Sequence, residues 1–470
     1  MTETVQLGPV RGRARIDVLD ILRGLAILGI FYLNIPAEAS PIAFLFGDVR
    51  LIGWSTADQI AWAGQEIFLS GTQRCLLEFL FGAGFMVLTA RAMRPDGPVA
   101  VADLFMRRTL WLLAFGLVNV FVVMWIGDIL TVYALASLFL FPFRKLGPKT
   151  LVALGCGLAL VTAVGGGVEY AGRTALVERV HAAEARQAAG VAPSAQDRAA
   201  LAEWQTKLDR FRPSEQSRKD LANEVAGHSG GVVAYAQLYW GMWITFFIGQ
   251  GIIWMSVIEA FCAMLIGIAL WKWGIIQGER SARFYVILAL VAYGFGLTAR
   301  GVGTFEMMSF SPIPKTIWIT SEFARLATGL GHLALVNLAM KAAAGRHILS
   351  IFKAPGRTAF SLYFLQQIIG LHILFAPYGF NLWNRFGWAT QFWIATAVIV
   401  LCIVVANLWV RVFANGPLEW AWRSLAYVKW QPFLRRREAG AEPWVEPVTI
   451  GPATIGQGAV GQGAVEGAAT

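Results

Sequence analysis

One apolar segment carries four side chains suited to acid–base or binding chemistry, at helical spacing: Glu322, Arg325, Thr328 and His332. Steps of three or four residues put them on one face of a helix. Such groups are costly within an apolar span unless they meet water, a substrate or partner side chains. Imidazole ionises near neutral pH, so His332 is the first candidate for a catalytic base and Glu322 the second. Arg325 is a candidate substrate-binding residue. The alternative is a histidine simply packed between helices by neighbouring glycines.

Two further candidates lie in the first third of the chain. Arg74 and Glu78 are four residues apart and therefore share one helix face as candidate binding residues. The glycines at 82 and 84 favour close helix packing, which is the alternative explanation for this segment. Asp128 follows a glycine at a tight turn between two apolar segments. It is a candidate binding residue, although an aspartate at such a turn often only caps a helix.

The first apolar segment opens with Asp20 and Arg23, which are three residues apart and can pair on one helix face. Arg23 is either a binding residue or a simple anchor at the membrane surface. Asn34 follows eleven residues after Arg23, about three helical turns along, and so lies on the same stripe of the helix. We predict that Arg23 and Asn34 belong to one site.

Several well-known catalytic patterns are absent from the sequence. It contains no phosphate-binding loop, dinucleotide fingerprint, nucleophile elbow or metal-ligand spacing. The four cysteines all lie within apolar segments and are interpreted as small buried side chains. The sequence therefore argues against an ATP-driven pump and most familiar hydrolases, and we predict no metal cofactor.

The elements that must position these residues are membrane helices. The chain of 470 residues is 57% hydrophobic and only 14% charged, with a mean hydropathy of +0.57. Soluble domains carry about 25% charged residues, so a soluble fold would expose large apolar patches to water. Backbone groups in lipid must be satisfied within each segment, which favours helices. The fold class is therefore all-α, a polytopic transmembrane helix bundle in a lipid bilayer.

The formal net charge of +10 does not indicate a nucleic-acid partner. The basic residues form short clusters beside apolar runs, which is the pattern of cytoplasmic loops facing anionic headgroups. These clusters are Arg11, Arg13 and Arg15; Arg91 and Arg94; Arg107 and Arg108; Arg144, Lys145 and Lys149; and Arg435, Arg436 and Arg437. We expect a multi-pass protein of the bacterial inner (cytoplasmic) membrane with both termini in the cytoplasm.

Ten apolar runs are long enough, or nearly so, to cross a bilayer. They are 19–38, 72–90, 106–125, 126–143, 150–168, 256–273, 284–300, 316–340, 357–376 and 388–412. An eleventh, 237–255, would put the termini on opposite sides, so we predict that it lies in the interface or re-enters.

These spans divide the chain into five segments. They are a cytoplasmic segment 1–18, helices 19–169, a helical extracytoplasmic insertion 170–235, helices 236–430 and a disordered cytoplasmic tail 431–470. Within the insertion, Ser194 with Asp197 predicts a helix start, and Pro213 predicts an interruption.

Several motifs together resemble the YeiB-like family, bacterial membrane proteins of domain of unknown function 418. The resemblance runs from Arg15 to about Tyr427. Its parts are Asp20-Ile-Leu-Arg23-Gly24 continuing to Asn34, Phe79-Leu-Phe-Gly-Ala-Gly84, Gly127-Asp128 to Tyr133, Gly356-Arg357 to Tyr363 and Gln366, and Gly416-Pro417-Leu-Glu419-Trp420. The order and spacing of these motifs carry the assignment.

The resemblance extends to transmembrane acyltransferases, which move an acyl group from cytoplasmic acyl-CoA to an acceptor, often a sugar, across the membrane. It implies that Arg23, Arg74 and Arg357 neutralise phosphates of acyl-CoA and that Gln366 belongs to the site. In the related type-3 acyltransferases a catalytic histidine stands at the position of Asn34. Asparagine hydrogen-bonds but takes no proton at neutral pH. The resemblance therefore implies an orienting role for Asn34 and a base elsewhere, at His332 or Glu322.

Two other functions remain open from the sequence. A transporter or flippase for a small amphiphilic molecule would use an intramembrane polar face and glycine-rich helices equally well. A non-catalytic membrane protein that binds a partner through its extracytoplasmic insertion is the third possibility. The acyltransferase hypothesis requires acyl-CoA as co-substrate and a small-molecule or glycan acceptor.

Overall fold

The computed structural model describes residues 16–89, 100–209 and 215–435. This part of the chain is built from helices, with a single isolated β-bridge between Phe413 and Leu434 and no longer strand. The all-α prediction is confirmed. The α-helices are α1 Asp17–Gly29, α2 Phe31–Ala39, α3 Ile42–Leu45, α4 Thr56–Phe68, α5 Thr72–Thr89, α6 Ala100–Phe121, α7 Ile129–Leu138, α8 Pro148–Gly155, α9 Gly157–Ala188, α10 Ala195–Asp209, α11 Glu215–Ser229, α12 Val232–Trp243, α13 Ile252–Lys272, α14 Ala282–Met307, α15 Ile317–Ala339, α16 Ala343–Leu349, α17 Lys353–Arg357, α18 Ala359–Gln367, α19 Trp388–Val412 and α20 Pro417–Tyr427. Two π-helical segments, Ile244–Gly249 and Ile368–Leu374, extend α12 and α18.

Within the described residues, seven helices are long and apolar enough to cross a membrane. An eighth is obtained if α15 and the helical stretch Ala343–Arg357, bent by 117° at a short break, form one span. Three of the predicted spans are short or more polar in the structure. Helix α5 carries Arg74 and Glu78, α7 has 10 residues, and the segment Ala359–Leu374 is likewise shorter than a full span. The count of ten stays a prediction.

The predicted boundary at residue 255 was wrong. Val232–Gly249 and Ile252–Lys272 are separate helices, and each has the length and composition of a span. Gly251 divides them with a φ of +69°, a left-handed conformation that side chains with a Cβ rarely adopt. Hence the stretch 237–255 contains the end of one helix and the first turn of the next. Whether 232–249 crosses the bilayer stays a prediction.

Two glycine contacts bring the chemically interesting helices close together. A Cβ at Gly24 would overlap the Phe352 carbonyl, and a Cβ at Gly356 would overlap the Asp20 carbonyl, so α1 and α17 meet backbone to backbone. Gly82 and Gly267 bring α5 against α13 in the same way. Small residues at helix contacts permit this approach in membrane proteins. The glycines therefore fix the positions of α1 and α5.

The predicted insertion is helical. Helix α9 continues directly from the apolar segment into it, followed by α10 and α11. The predicted start of α10 is confirmed, because the Asp197 amide donates to Ser194 Oγ and the Ser194 amide to the Asp197 carboxylate. Pro213 lies outside the described residues, as do Arg11, Arg13, Arg15, Arg91, Arg94, Arg436, Arg437 and the predicted tail from 436 onward.

The insertion contacts the rest of the protein through Glu224. Its carboxylate accepts hydrogen bonds from the backbone amides of Ile42 at 2.7 Å and Ala43 at 3.1 Å. One turn later, the ring of His228 stacks on Trp383 with centroids 3.9 Å apart. Burial raises the pKa of Glu224 to about 7 and lowers the pKa of His228 to about 4. At neutral pH His228 is therefore uncharged, whereas Glu224 exchanges its proton with water near pH 7.

Candidate functional site

Four of the predicted site residues meet in one buried ionic cluster. Arg325 donates to Glu322 at 2.6 and 2.9 Å and to Glu78 at 2.9 Å. Glu259 lies 3.2 Å from Arg325 and 2.5 Å from Arg74, and Arg74 also approaches Glu78 at 3.6 Å. The side chain of Arg325 is only 6% exposed and that of Glu78 only 1%. The guanidinium of Arg325 therefore joins carboxylates from α5, α13 and α15.

This cluster forms part of the wall of a polar cavity of about 540 Å³. Arg74, Glu322 and Arg325 line the cavity, together with Arg300 and Glu66. The remaining lining residues are Leu33, Pro36, Leu45, Phe46, Gln65, Ser70, Gly71, Ser321 and Trp388. Because Leu45, Phe46 and Trp388 lie beyond the C-terminal end of α2, the cavity extends to the end of α1–α2 opposite Arg23. Paired charges around a cavity can bind a polar or ionic group without leaving buried charge uncompensated.

Arg300 fixes one side of that cavity. Its guanidinium donates to the backbone carbonyls of Glu66, Ile67 and Ser70, at 2.8 Å for Ile67 and 2.6 Å for Ser70. These carbonyls belong to the last turn of α4 and the residues that follow, where helical acceptors lack internal partners. Arg300 therefore caps α4 and holds segment 69–74 in place.

His332 does not join the ionic cluster. Its Nε2 lies 2.8 Å from the Phe68 carbonyl, and its Nδ1 lies 2.8 Å from the Tyr293 hydroxyl. A carbonyl only accepts, so Nε2 carries the hydrogen and Nδ1 accepts from Tyr293. Both ring nitrogens are thus engaged, and the ring bridges α14, α15 and the end of α4.

A second, largely apolar cavity of about 320 Å³ lies beside His332. Its lining begins at Leu22 and Phe352, continues along Leu25 and Leu28, and reaches Tyr32, Tyr293 and His332. Leu69, Gln73 and Leu76 line this cavity, whereas Ser70, Gly71 and Arg74 line the polar one. The two cavities therefore lie on either side of the segment 69–74.

Arg23 and Arg357 lie on the contacting helices α1 and α17, near the Leu22–Phe352 end of the apolar cavity. Arg23 contacts Asp20 at 3.1 Å and approaches the carbonyl of Gly356 at 3.4 Å. Arg357 follows immediately and donates to the Ala414 carbonyl. Arg74, which the resemblance grouped with these two, belongs instead to the ionic cluster on the other cavity. Lys353, one turn before Arg357, pairs with Asp17 at 2.5 Å.

Asp128 is held as a helix cap. Its carboxylate accepts from the Thr131 amide at 2.7 Å and from the Asn119 side chain at 2.9 Å, and the residue is 3% exposed. These bonds start α7, as the capping alternative predicts. Asn34 on α2 and Gln366 on α18 are both buried, and neither lines either cavity.

Sequence reasoning missed several members of the site. Glu259 and Arg300 are charged residues within predicted spans, the same signal that identified Arg325, and they were overlooked. Glu66 and Tyr293 carried no comparable signal, since their importance depends on which helices pack together. Glu38, a buried carboxylate at the end of the first span, was also missed.

Comparisons with known proteins support one family. A family model described as "Protein of unknown function (DUF418)" matches residues 270–429. The uncharacterized protein YxaH of Bacillus subtilis (strain 168) is 30% identical over 446 residues, covering 92% of this chain and 98% of that protein. An uncharacterized 39.9 kDa protein from the amylase 3′ region of Bacillus acidopullulyticus is 24% identical over 92% of this chain and all of its own length. The uncharacterized protein YeiB of Escherichia coli (strain K12) is 26% identical, with 87% of this chain and 95% of YeiB covered. No solved structure matches. On these matches, and on its bundle of apolar helices, the chain belongs to the DUF418 family and is a helical membrane protein.

Proposed function

We propose that this protein is an acyltransferase of the bacterial inner membrane. It moves an acyl group from cytoplasmic acyl-CoA to a small-molecule or glycan acceptor on the far side. The observation that carries the proposal is the pair of cavities, one apolar and one polar, on either side of segment 69–74. An acyl donor and a polar acceptor need two such environments with a short distance between them.

The apolar cavity suits the pantetheine arm of the donor and the first carbons of its acyl chain, so that the thioester lies at the His332 end, beside segment 69–74. Its lining follows α1 and α2 from Leu22 to Tyr32, about 15 Å at the helical rise per residue. Burial of hydrocarbon is favoured at roughly 25 cal/mol per Å², so the leucines supply the binding energy. Arg23 and Arg357 stand beside the Leu22 end, and guanidinium groups pair well with phosphate. In this proposal the nucleotide part of the donor remains at the cytoplasmic surface.

The polar cavity suits the acceptor and the chemical step. Glu322 takes the proton of the acceptor hydroxyl or amine, and the resulting nucleophile attacks the thioester carbonyl. The new carbon–oxygen or carbon–nitrogen bond forms, the carbon–sulfur bond breaks, and CoA leaves as the thiolate. Arg325 pairs with Glu322, and Arg74 lies in the same ionic cluster. Their guanidinium groups stabilise the negative charge that develops on the thioester oxygen. His332 and Tyr293 line the apolar cavity together with the leucines and with Leu69 and Gln73 of segment 69–74.

The proposal is tested by binding of octanoyl-CoA to the detergent-purified protein, measured by calorimetry at two salt concentrations. We expect saturable binding that weakens with salt, because phosphate–arginine contacts are screened. Leu28→Trp fills the apolar cavity and should abolish octanoyl-CoA binding, whereas Leu290→Trp, on the exposed face of α14, should not. Binding that is the same in both variants would contradict the assignment of the cavity.

The chemical step is tested in vesicles with radiolabelled octanoyl-CoA and a bacterial envelope extract as the acceptor source. Glu322→Gln should lose transfer while retaining octanoyl-CoA binding, and Glu184→Gln, an exposed carboxylate on α9, should retain both. Full transfer in Glu322→Gln would remove Glu322 as the base, and its loss in His332→Ala alone would assign that role to His332. Movement of an amphiphile in vesicles that lack any acyl donor would favour the transporter instead.

A further inference from the structure

A second group of polar side chains is buried on α2 and α18 and lines neither cavity. Glu38, Gln366 and Gln367 are each 0% exposed, and Asn34 is 8% exposed. Neither carboxylate oxygen of Glu38 has a hydrogen-bond partner among the described residues. The same is true of both amide atoms of Gln367, of Gln366 Oε1 and of Asn34 Nδ2, while the Gln366 side chain interacts with the Cys402 thiol of α19. Buried polar groups are normally paired, so such a concentration of unpaired atoms indicates a missing ligand.

The helix geometry brings these groups to one place. Asn34 and Glu38 are four residues apart on α2 and share a face. On the opposing helix, a Cβ at Gly370 would overlap the Glu38 carboxylate, which places that position directly against it. Tyr363 is also close enough to interact with the charge of Glu38. Because Gly356 meets Asp20 and Gly370 meets Glu38, the two helices run in the same direction. Gln366 and Gln367 lie one turn before Gly370, as Asn34 lies one turn before Glu38, so these residues occupy adjoining turns.

The charge of Glu38 requires a compensating group. Among the described residues, no lysine, arginine or histidine forms an ion pair with it. An isolated carboxylate away from water is among the most expensive groups to bury. Tyr235 and Tyr239 of α12 lie near the Glu38 side chain, and the Tyr235 hydroxyl donates to the Leu371 carbonyl at 3.0 Å. A bound cation or a proton must therefore neutralise Glu38.

The number of unpartnered buried oxygen atoms on Glu38, Gln366 and Gln367 favours a metal cation over a proton. We propose that Glu38, with the amide oxygens of Gln366 and Gln367, binds a sodium ion between α2 and α18. A proton would pair only one of the unpartnered oxygen atoms, whereas a hard cation takes several oxygen ligands. With the carboxylate kept ionised, the amide groups of Asn34 and the glutamines can also donate to it. The helix changes from α to π geometry at Ile368, and such irregular turns often mark binding sites in membrane helices.

The test uses the full-length protein purified in detergent without sodium. We would measure binding of radioactive ²²Na⁺, and thermal unfolding as NaCl replaces choline chloride at constant ionic strength. We expect saturable binding and a Tm that rises with sodium, since a ligand of the native state stabilises it. Glu38→Gln, which keeps the size of the side chain, should abolish both responses, and Glu184→Gln should leave both unchanged.

A second variant covers the case in which Glu38→Gln does not fold. Gln367→Leu keeps the carboxylate and removes one oxygen ligand, and it should weaken sodium binding about tenfold. Absence of ²²Na⁺ binding to the wild-type protein would overturn the proposal and assign the site to a proton and water. Equal binding in wild-type and Glu38→Gln would also overturn it. Because no acyl donor enters these measurements, their failure leaves the acyl-transfer proposal intact.

Discussion

Loss of Arg325 should be the most damaging single change in the ionic cluster. Arg325→Met removes the guanidinium that contacts Glu78, Glu322 and Glu259 within 3.2 Å. Glu78, 1% exposed, keeps only Arg74 at 3.6 Å, and Arg74 must also serve Glu259. Removing one partner of a buried ion pair costs about 3–5 kcal/mol, because the remaining charge is left without compensation. We expect a fall of that size in the free energy of unfolding.

The assay is equilibrium unfolding of the purified protein in detergent, with a double-mutant cycle. Glu78→Leu combined with Arg325→Met removes both charges and should recover part of the loss, giving a coupling energy of about 1–3 kcal/mol. The control is Arg179→Met, which breaks an exposed pair with Glu203. Exposed pairs contribute little, so this control should change stability only slightly.

The reasoning would be refuted by a small effect at Arg325. If Arg325→Met changed the free energy of unfolding no more than Arg179→Met does, the cluster would not be a buried, mutually compensating network. A coupling energy near zero between positions 78 and 325 would contradict the inference that these two charges, 2.9 Å apart, stabilise each other.

Three further predictions follow from other contacts. The pKa of Glu224 is about 7 in the folded protein, against 4.5 for a free glutamate. Protonation of Glu224 therefore adds on the order of 3 kcal/mol to the free energy of unfolding. This stabilisation is complete below pH 4.5 and is lost as the pH rises through 7. We would measure hydrogen exchange of the Ile42 and Ala43 amides, corrected for the pH dependence of the intrinsic exchange rate. Exchange should accelerate between pH 4.5 and 7 in the wild type and not in Glu224→Gln, and corrected rates that do not change with pH in the wild type would contradict the prediction. Gly356→Ala should lower the Tm of the purified protein because its Cβ overlaps the Asp20 carbonyl, while Gly294→Ala, with open space around it, should leave Tm unchanged or raised; equal effects would refute the backbone contact. Cysteine labelling in intact cells should modify Ala189→Cys from outside and Arg346→Cys only after permeabilisation, and the reverse pattern would overturn the predicted orientation.

The sequence determined the class of the fold and part of the site. Apolar runs of span length predict membrane helices because backbone groups in lipid must be paired within a segment. Spacings of three and four residues correctly placed Glu322 next to Arg325, and Arg74 next to Glu78, since such neighbours depend only on helical geometry. The Ser194–Asp197 cap was predictable for the same reason.

Only the tertiary structure decided which helices share a site. Arg325 contacts Glu78 across 247 positions of sequence and Glu259 from a third helix, and no local periodicity contains that information. The same packing engages both ring nitrogens of His332 with Tyr293 and the Phe68 carbonyl, and it places Arg74 in the ionic cluster rather than beside Arg23. It also encloses Glu38 against Gly370. Local geometry is encoded by residue spacing, whereas the meeting of distant charges depends on how glycine contacts such as Gly24–Phe352 set the distances between helices.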